Sequence, residues 1–500
     1  MDPISAFFMT WFDLKLLFIV AAGTFAGVYV GAIPGLSVTM AVSILISFTF
    51  SWDLYPALAL MIGVFMGGVY GGSRTAILLN IPGAPSAIAT ALDGYPLALK
   101  GEAGEAIGVS TVVSFFGCLF GIFILMIGAP TLSKFALSFQ PRDFMLLGIM
   151  GLMLVGALSG ESLSKGIFAG ALGLLIGTVG LDPLTAQERF TFGFSQLWSG
   201  ISFVAVMIGL FGVSEVLDQL HHIDKQAVRQ KIDRIVPSFA SIKKYFWLGI
   251  QSSGIGVVIG ALPGTGGDIA ALMAYDHATR VVKNPEVPFG QGAKEGLVAP
   301  ESANNAAVGG AFIPMLTLGI PGDAVTAIMI GALFIHGLQP GPMLMINQPD
   351  MFWVISGALV LAAFFMLIFG LSGIRVFVKV VEMPRAVLFP LILLLSIVGS
   401  YALNNSLMDV YWMLGFGVFG YFLKTFGYQA APIILGIILS RLIDENWRRA
   451  ILSERDDFGS FLIAMFSSPL SVALVLIIVA AVVVKMPFYV RWRNRGRPQP

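Results

Sequence analysis

The stretch Gly31-Ala32-Ile33-Pro34-Gly35 interrupts a long apolar segment at a point where a helix should continue. Because proline removes a backbone donor and glycine loosens the chain, a Pro-Gly pair is predicted to stop or unwind a helix. A second break follows at Asn80-Ile81-Pro82-Gly83, and the two recur later as Gly260-Ala261-Leu262-Pro263-Gly264 and Gly319-Ile320-Pro321-Gly322. Non-helical backbone at membrane depth must be surrounded by protein or line a cavity, so all four breaks are expected to converge near mid-membrane. Paired breaks in two halves are typical of a secondary transporter.

The composition of the chain indicates a membrane protein. Its 500 residues are 57% hydrophobic and only 11% charged, whereas a soluble protein carries roughly twice that charged fraction. Apolar stretches of about 20 residues recur almost end to end, so the sequence predicts an all-α polytopic membrane protein with roughly a dozen transmembrane spans. The net charge of +1, without a basic stripe, argues against a nucleic-acid partner. The single cysteine, Cys118, excludes an intrachain disulfide and a cysteine metal cluster.

The order of apolar and polar segments predicts two membrane repeats. The predicted parts are a first repeat at 1–217, a polar connector at 218–244, a second repeat at 245–460, and a final transmembrane helix with a basic tail at 461–500. The connector and the tail are both rich in Lys and Arg, so both should face the cytoplasm.

The spacing of the breaks supports a duplication. Pro263 follows Pro34 by 229 residues, and Pro321 follows Pro82 by 239 residues. The extra length of the second half lies in the polar stretch 283–305. We favour an inverted duplication, with Pro-Gly-broken helices or re-entrant hairpins, although a parallel one would give the same spacing.

The first repeat supplies candidate residues for an anionic substrate. Arg74 lies within an apolar segment, where a guanidinium is costly and by default marks function. A bidentate contact with a carboxylate is its natural use, helped by the hydroxyl of Ser73. The substrate would also contact the break itself at Asn80, Pro82 and Gly83. The alternative for Arg74 is a structural role, either snorkelling or pairing with a buried acid.

The second repeat supplies further candidate residues for the same substrate site. Pro321 and Gly322 form its second break, and Asp323 just after them is favoured as a structural residue. Ser302 and Asn304 precede a run of small residues that resembles a helix start, whose exposed amides favour a carboxylate ligand. An ordinary helix start at the membrane surface is the alternative.

Oxygen-bearing residues near the breaks predict a site for a coupling cation, with sodium as the expected ion. Unwound carbonyls and nearby hydroxyls match the preference of hard cations for oxygen ligands. The candidates are Pro34, Gly35, Ser37, Thr39, Pro263, Gly264, Thr265, Asp268 and Asn305. For Asp268, a role as a helix cap is the alternative.

Other classes of membrane protein fit less well. The chain has no G-x-x-x-x-G-K-[ST] sequence, which argues against a nucleotide-driven pump. A channel for a carboxylate or another anion would also use broken helices and stays the alternative. An intramembrane protease is disfavoured, because Thr265-Gly266-Gly267-Asp268 has no second intramembrane aspartate in a matching context.

Several long stretches resemble the large membrane subunit of the tripartite tricarboxylate transporters. In the second half these are residues 292–296, 299–307, 316–322 and 336–342; elsewhere they are 70–73, 76–83, 91–96, 189–193, 405–410 and 445–449. The chain departs from the family pattern at Arg74, where a small or hydroxylated residue is usual, and at Ala84, where an acid is frequent. Both departures make the first site more positive, so an anionic substrate stays plausible.

The resemblance implies a three-part system of the bacterial inner membrane. A periplasmic solute-binding protein would capture a carboxylate, and this subunit, together with a small four-helix membrane subunit, would move it inward. Family members are associated with di- and tricarboxylates and aromatic acids, and with an ion gradient, chiefly of sodium, as the driving force. The resemblance implies no enzyme activity and no cofactor besides the coupling ion.

Overall fold

A computed structural model describes most of the chain. The described residues are 2–33, 36–158, 162–182, 185–220, 239–373, 385–455 and 457–485, with Ile235 and Pro237. The first break, Pro34-Gly35, lies outside them, as do residues 221–234 of the connector and 486–500 of the tail.

The described chain is almost wholly helical, as the composition predicts. The helices before the connector are α1 (Pro3–Phe12), α2 (Leu14–Ala32), α3 (Val38–Thr49), α4 (Leu54–Leu79), α5 (Ala87–Leu99), α6 (Ala103–Ala136), α7 (Pro141–Leu158), α8 (Leu163–Gly177), α9 (Phe203–Met207) and α10 (Ser214–Gln219). A 3-10 turn at Ser195–Leu197 precedes α9, and a π-helical turn at Ile208–Val213 joins α9 to α10. Two short strands, Gly180–Leu181 and Glu188–Arg189, pair antiparallel after α8.

The helices after the connector complete the fold. They are α11 (Phe239–Gly260), α12 (Gly266–Val281), α13 (Glu295–Leu318), α14 (Ala324–Ile335), α15 (Pro342–Asn347), α16 (Pro349–Ser372), α17 (Arg385–Asn404), α18 (Leu407–Thr425), α19 (Ala430–Ser453), α20 (Phe458–Ala464) and α21 (Pro469–Lys485).

The number of helices that can cross a bilayer is smaller than the predicted dozen. In the described part of the chain, four helices are long and apolar enough: α2, α4, α6 and α16. Phe458–Ala464 and Pro469–Val483 form a fifth candidate with a bend of 91° between them. The dozen spans are therefore not confirmed. One reason is that the chain breaks leave apolar helices of only 10–17 residues, such as α3, α5 and α14, which are shorter than the roughly 20 residues of a full crossing. Another is that α13 and α19 are long enough but not apolar enough.

The second break of each half begins with the same helix ending. α4 ends at Asn80 and α13 ends at Gly319, both in the left-handed conformation with φ of 54° and 72°. The amide of each cap returns to a helix carbonyl, that of Thr75 in the first half and Pro314 in the second. The following proline cannot donate a helix hydrogen bond, so the chain turns away.

Small residues let the helices of each half approach closely. A Cβ atom on Gly31 would lie 2.1 Å from the carbonyl oxygen of Gly68, where α2 crosses α4. In the second half a Cβ atom on Gly260 would lie 2.4 Å from the carbonyl oxygen of Ala307, where α11 crosses α13. Backbone contact of this kind requires small side chains. The two contacts involve positions 229 and 239 residues apart, which are the offsets of the sequence repeat.

The core joins the two halves. Its largest buried cluster contains apolar residues of α2, α4, α6, α13, α14 and α16. Phe65 of α4 and Phe312 of α13 are buried in it, with ring centroids 6.2 Å apart. Because α4 and α13 each lead into a Pro-Gly break, this packing holds the two breaks in a fixed relation.

Candidate substrate and cation site

The second break of each half folds back against the helix that opens that half. A Cβ atom on Gly83 would lie 2.2 Å from the carbonyl oxygen of Gly31 in α2. Likewise, a Cβ atom on Gly322 would lie 2.5 Å from the carbonyl oxygen of Gly260 in α11. Neither position has room for a side chain, so glycine is required there for packing. The unwound backbone of both breaks is thereby fixed next to a helix end.

The three described breaks lie next to one another. The amide of Ser86, just after the Pro82 break, donates to Oδ1 of Asp268, just after the Pro263 break, at 2.9 Å. A Cβ atom on Gly266 would lie 3.2 Å from Cβ of Asp323, which follows the Pro321 break. The predicted convergence therefore holds for these three breaks. The Pro34 break lies outside the described residues, and the depth of the breaks in a membrane stays a prediction.

Each of these breaks is followed directly by a helix start. α5 begins after Ser86, α12 begins at Gly266, and α14 begins after Asp323. The exposed amides and the dipole of a helix make its start attractive to anions. Asp323 already serves α14, since its Oδ1 accepts from the amide of Thr326 at 2.7 Å in a reciprocal capping box. The adjacent helix starts give this region a positive backbone potential.

Asp268 links the two halves. Its carboxylate accepts from an amide at the start of α5 and does not cap its own helix. The side chain itself is exposed. Thr265 is buried, and its hydroxyl donates to the carbonyls of Leu262, at 3.0 Å, and of Ile259. Gly264 adopts φ of 71°, which makes the sharp turn after Pro263 possible.

The remaining ion candidates of the first half have simpler roles. The side chain of Ser37 caps α3 by accepting from the amide of Met40 at 3.0 Å. Thr39 is half-buried in the first turn of the same helix. Pro34 and Gly35 lie outside the described residues, so Ser37 and Thr39 are the described members of the first-half ligand set.

Arg74 is completely buried on α4, and its guanidinium faces the end of α16. It donates to the hydroxyl of Tyr70 from Nε at 3.2 Å and from Nη2 at 3.1 Å. Nη2 also donates to the carbonyl of Phe369, at 3.3 Å, and to that of Gly370. These carbonyls belong to the last turn of α16, the negative end of its dipole. The contacts favour the structural alternative for Arg74.

The predicted helix start at Ser302 and Asn304 is wrong, because both residues lie inside α13, which begins at Glu295. Asn304 nevertheless reaches the breaks: its Nδ2 donates to the carbonyl of Val69 at 3.3 Å, and its Oδ1 would lie 2.1 Å from a Cβ atom on Gly267. Ser302 instead lines a cleft of about 300 Å³ between α6 and α11.

A distant carboxylate explains why α13 starts early. Asp93 of α5 is fully buried, and its Oδ1 accepts from the amides of Gly290, Gly292 and Ala293, each at 2.8 Å. Its Oδ2 accepts from the hydroxyl of Tyr275 at 2.8 Å. The loop before α13 is thus anchored to the first half, and the helix can begin as soon as the loop ends.

A second buried carboxylate, that of Glu301, carries a polar network that the sequence analysis missed. Oε1 accepts from the hydroxyl of Thr90 at 2.5 Å, and Oε2 accepts from that of Ser114 at 3.0 Å. Ser110 and Ser73 are also hydrogen-bonding neighbours of the carboxylate. The sequence carries a signal for this network, since Ser110, Ser114 and Cys118 of α6 repeat at the four-residue spacing that Glu301 and Asn305 share on α13.

Asn305 belongs to this network and not to the breaks. Its Nδ2 donates to the hydroxyl of Ser114 at 2.8 Å and to the carbonyl of Glu301 at 2.9 Å. Its Oδ1 has the thiol of Cys118 as a neighbour, at 3.7 Å. Ser73 is attached to the network through Ser110, whose hydroxyl is 3.2 Å away. One predicted ion ligand and one predicted substrate ligand therefore meet at Glu301.

The described residues contain no group of three or more His, Cys, Asp or Glu side chains that could hold a metal. A cavity of about 590 Å³ lies at the opposite end of α14 from the breaks, lined in part by Arg189, Gln339, Arg441 and Asp444. Arg189 is paired there with Asp182 and Asp444 at 2.5 and 2.9 Å, so its charge is already neutralised. The region between the breaks is therefore the better candidate for an anion.

The fold and the breaks define a helical, multi-pass membrane protein. Residues 17–435 match the model of the tripartite tricarboxylate transporter TctA family. The chain belongs to this family, which confirms the resemblance found in the sequence.

Two similar proteins come from Agrobacterium vitis. An Agrobacterium vitis protein described as an uncharacterized 52.8 kDa protein in the TAR-I ttuC' 3'region is 36% identical over 465 residues, covering 93% of this chain and 92% of its own length. Another protein of that organism, described as an uncharacterized protein in the TAR-II ttuC' 3'region, is 39% identical over 226 residues, or 45% of this chain and 93% of its own length. No solved structure matches the chain.

Proposed function

We propose that the protein is the large membrane subunit of a three-part secondary transporter that imports a carboxylate anion across the bacterial inner membrane. The anion belongs to the di- or tricarboxylate class, and an ion gradient drives its uptake. A periplasmic solute-binding protein delivers the substrate, and a small four-helix membrane subunit completes the system. The observation that carries this proposal is the meeting of three Pro-Gly breaks and three helix starts at one place.

The substrate binds between the second breaks of the two halves. The breaks at Asn80, Pro82 and Gly83 and at Pro321 and Gly322 border the substrate, and the starts of α5 and α14 attract its carboxylate. Asn304 supplies a polar side chain next to the same region. The repeated helix endings and glycine contacts support an origin of the two halves by duplication.

The coupling cation binds at the Pro263 break. Asp268 brings a negative charge, and the carbonyls around Pro263 and Gly264 together with the hydroxyl of Thr265 bring neutral oxygen ligands. This ligand set suits sodium, which prefers hard oxygen donors. The side chain of Asp268 is exposed, and in this proposal it faces the path by which the ion enters.

Uptake into proteoliposomes tests the proposal. The protein is reconstituted with its small membrane subunit, the binding protein is added outside, and labelled di- and tricarboxylates are offered with an inward sodium or choline gradient. Saturable uptake that requires the binding protein and sodium is expected. Carboxylate flux that does not saturate and needs no binding protein would instead identify a channel. Unchanged uptake in choline would exclude sodium coupling.

A pair of matched variants locates the cation. Asp268→Asn should raise the sodium concentration for half-maximal uptake about tenfold, the size of loss that follows damage to a metal site. Asp276→Asn is the control, because Asp276 lies eight residues further along the same helix and is paired with Arg280 at 2.8 Å. Equal sodium dependence in both variants would remove Asp268 from the cation site.

A further inference from the structure

The network around Glu301 is a compact cage of oxygen atoms in the protein interior. It draws Thr90 from α5, Ser110 and Ser114 from α6, Ser73 from α4, and Glu301 itself from α13. All five side chains are at most 2% exposed. Four helices thus direct oxygen atoms at one carboxylate.

The negative charge of Glu301 needs compensation. Its described partners are all uncharged hydroxyls. Transfer of an isolated carboxylate from water into a protein interior costs several kcal/mol even after relaxation, and neutral hydrogen bonds recover only part of this. A cation bound in the cage would neutralise the carboxylate and offset the remaining free-energy cost of its burial.

The other oxygen atoms of the cage can serve as ligands. A Ser or Thr hydroxyl that donates one hydrogen bond retains lone pairs to accept another interaction. Oδ1 of Asn305 is fully buried, and its described neighbour is the thiol of Cys118 at 3.7 Å, a weak donor at a long distance. The atom of Asn305 that faces the cage is the donor Nδ2, which is hydrogen-bonded to Ser114 at 2.8 Å, so Asn305 orients Ser114 and is not a ligand itself.

We propose that the Glu301 cage binds one sodium ion. The ligands are the carboxylate of Glu301 and the hydroxyls of Thr90, Ser110 and Ser114. The net charge of this set is −1, so a monovalent ion neutralises it while a divalent ion would leave a buried positive charge. The oxygens are closely spaced, with Ser114 at 3.0 Å from the carboxylate, which favours a small ion. The site rests on the proposed ion-coupled transport but is separate from the Pro263 break.

Direct binding of sodium-22 to the purified full-length protein, without substrate, tests the site. Glu301→Gln keeps the size of the side chain and removes its charge, and should lower the number of bound ions by one per chain. Glu286→Gln, the same change at a side chain that is 74% exposed, should bind as many ions as the unmodified protein. Retention of the full number of ions by a folded Glu301→Gln protein would overturn the proposal.

Two milder variants keep the test decisive if Glu301→Gln does not fold. Ser114→Ala and Thr90→Val each remove one hydroxyl, and each should weaken sodium binding at this site about tenfold. Unchanged affinity in both would refute the site. An unmodified protein that binds protons but no sodium would refute it as well. If Glu301→Gln lowers the ion count as expected but the unmodified protein transports no carboxylate, the proposed function is refuted and the sodium site is supported. If carboxylate is transported but Glu301→Gln leaves the ion count unchanged, the sodium site is refuted and the proposed function is supported.

Discussion

Replacement of Arg74 separates the two roles that the sequence leaves open. The guanidinium donates to three acceptors on two helices, the hydroxyl of Tyr70 and the carbonyls of Phe369 and Gly370. Hydrogen bonds from charged groups contribute about 1.5–3 kcal/mol each, but the charge also costs free energy to bury. With about 1–1.5 kcal/mol net for each acceptor, Arg74→Thr should destabilise the protein by roughly 3–5 kcal/mol.

This loss is measurable as a fall in the unfolding temperature in detergent. One kcal/mol shifts the midpoint by about 2–4 °C in chains of 150–250 residues and by about 1 °C in a chain of 500, so a fall of about 3–5 °C is expected. Arg74→Lys keeps the charge but loses the forked guanidinium group, so the side chain can donate to only some of the acceptors. Its unfolding temperature should lie between those of the unmodified protein and Arg74→Thr. Arg280→Thr is the control, since Arg280 is 74% exposed.

The substrate supplies the second measurement. If Arg74 only fastens α4 to the end of α16, folded Arg74→Lys protein should bind carboxylate with normal affinity. An unfolding temperature within 1 °C of the unmodified protein, together with a tenfold loss of carboxylate affinity (about 1.4 kcal/mol), would refute the structural role. That result would instead support the prediction that Arg74 contacts the substrate directly.

Three further substitutions test how the site is held in place. Asp93→Ala removes the acceptor of three amides, two of them buried, and should cost at least about 3 kcal/mol, seen as a lower unfolding temperature. A shift no larger than that of an exposed aspartate would contradict the anchoring role. Gly322→Ala places a Cβ atom 2.5 Å from the Gly260 carbonyl and should reduce uptake, whereas Gly254→Ala, with nothing within 4 Å, should not. Lys424→Ala removes pairs at 2.6 and 2.9 Å on a side chain that is 46% exposed, so the stability should change by at most about 1 kcal/mol and less at high salt.

The breaks could be predicted from the sequence because their cause is local. Pro82 and Pro321 stop their helices wherever the rest of the chain lies, and Asn80 and Gly319 tolerate the left-handed conformation that precedes them. The adjacency of the described breaks followed from a general constraint on backbone in lipid. The number of spans did not follow, because the same breaks leave some helices too short for one crossing, and other helices of full length are not apolar enough.

Long-range contacts account for the errors at α13 and in the cation site. The early start of this helix depends on Asp93, which lies about 200 residues earlier in the chain. Likewise, the four-residue spacing on α6 and on α13 shows that each helix has a polar stripe, but not that the two stripes face each other. Gly117 decides this, since a Cβ atom there would lie 2.5 Å from the carbonyl of Ser302. Such close contact brings Ser114 within reach of Glu301.

The charges between the breaks imply a link between cation and substrate. The starts of α5 and α14 attract a carboxylate, yet amides there already donate hydrogen bonds to Asp268 and Asp323. If a cation binds Asp268 as proposed, it neutralises the carboxylate that competes with the substrate for these amides. Cation binding should then raise the affinity for the anion, and the anion should raise the affinity for the cation by the same factor. A single arrangement of opposite charges would thus couple the two gradients without a large movement of the breaks.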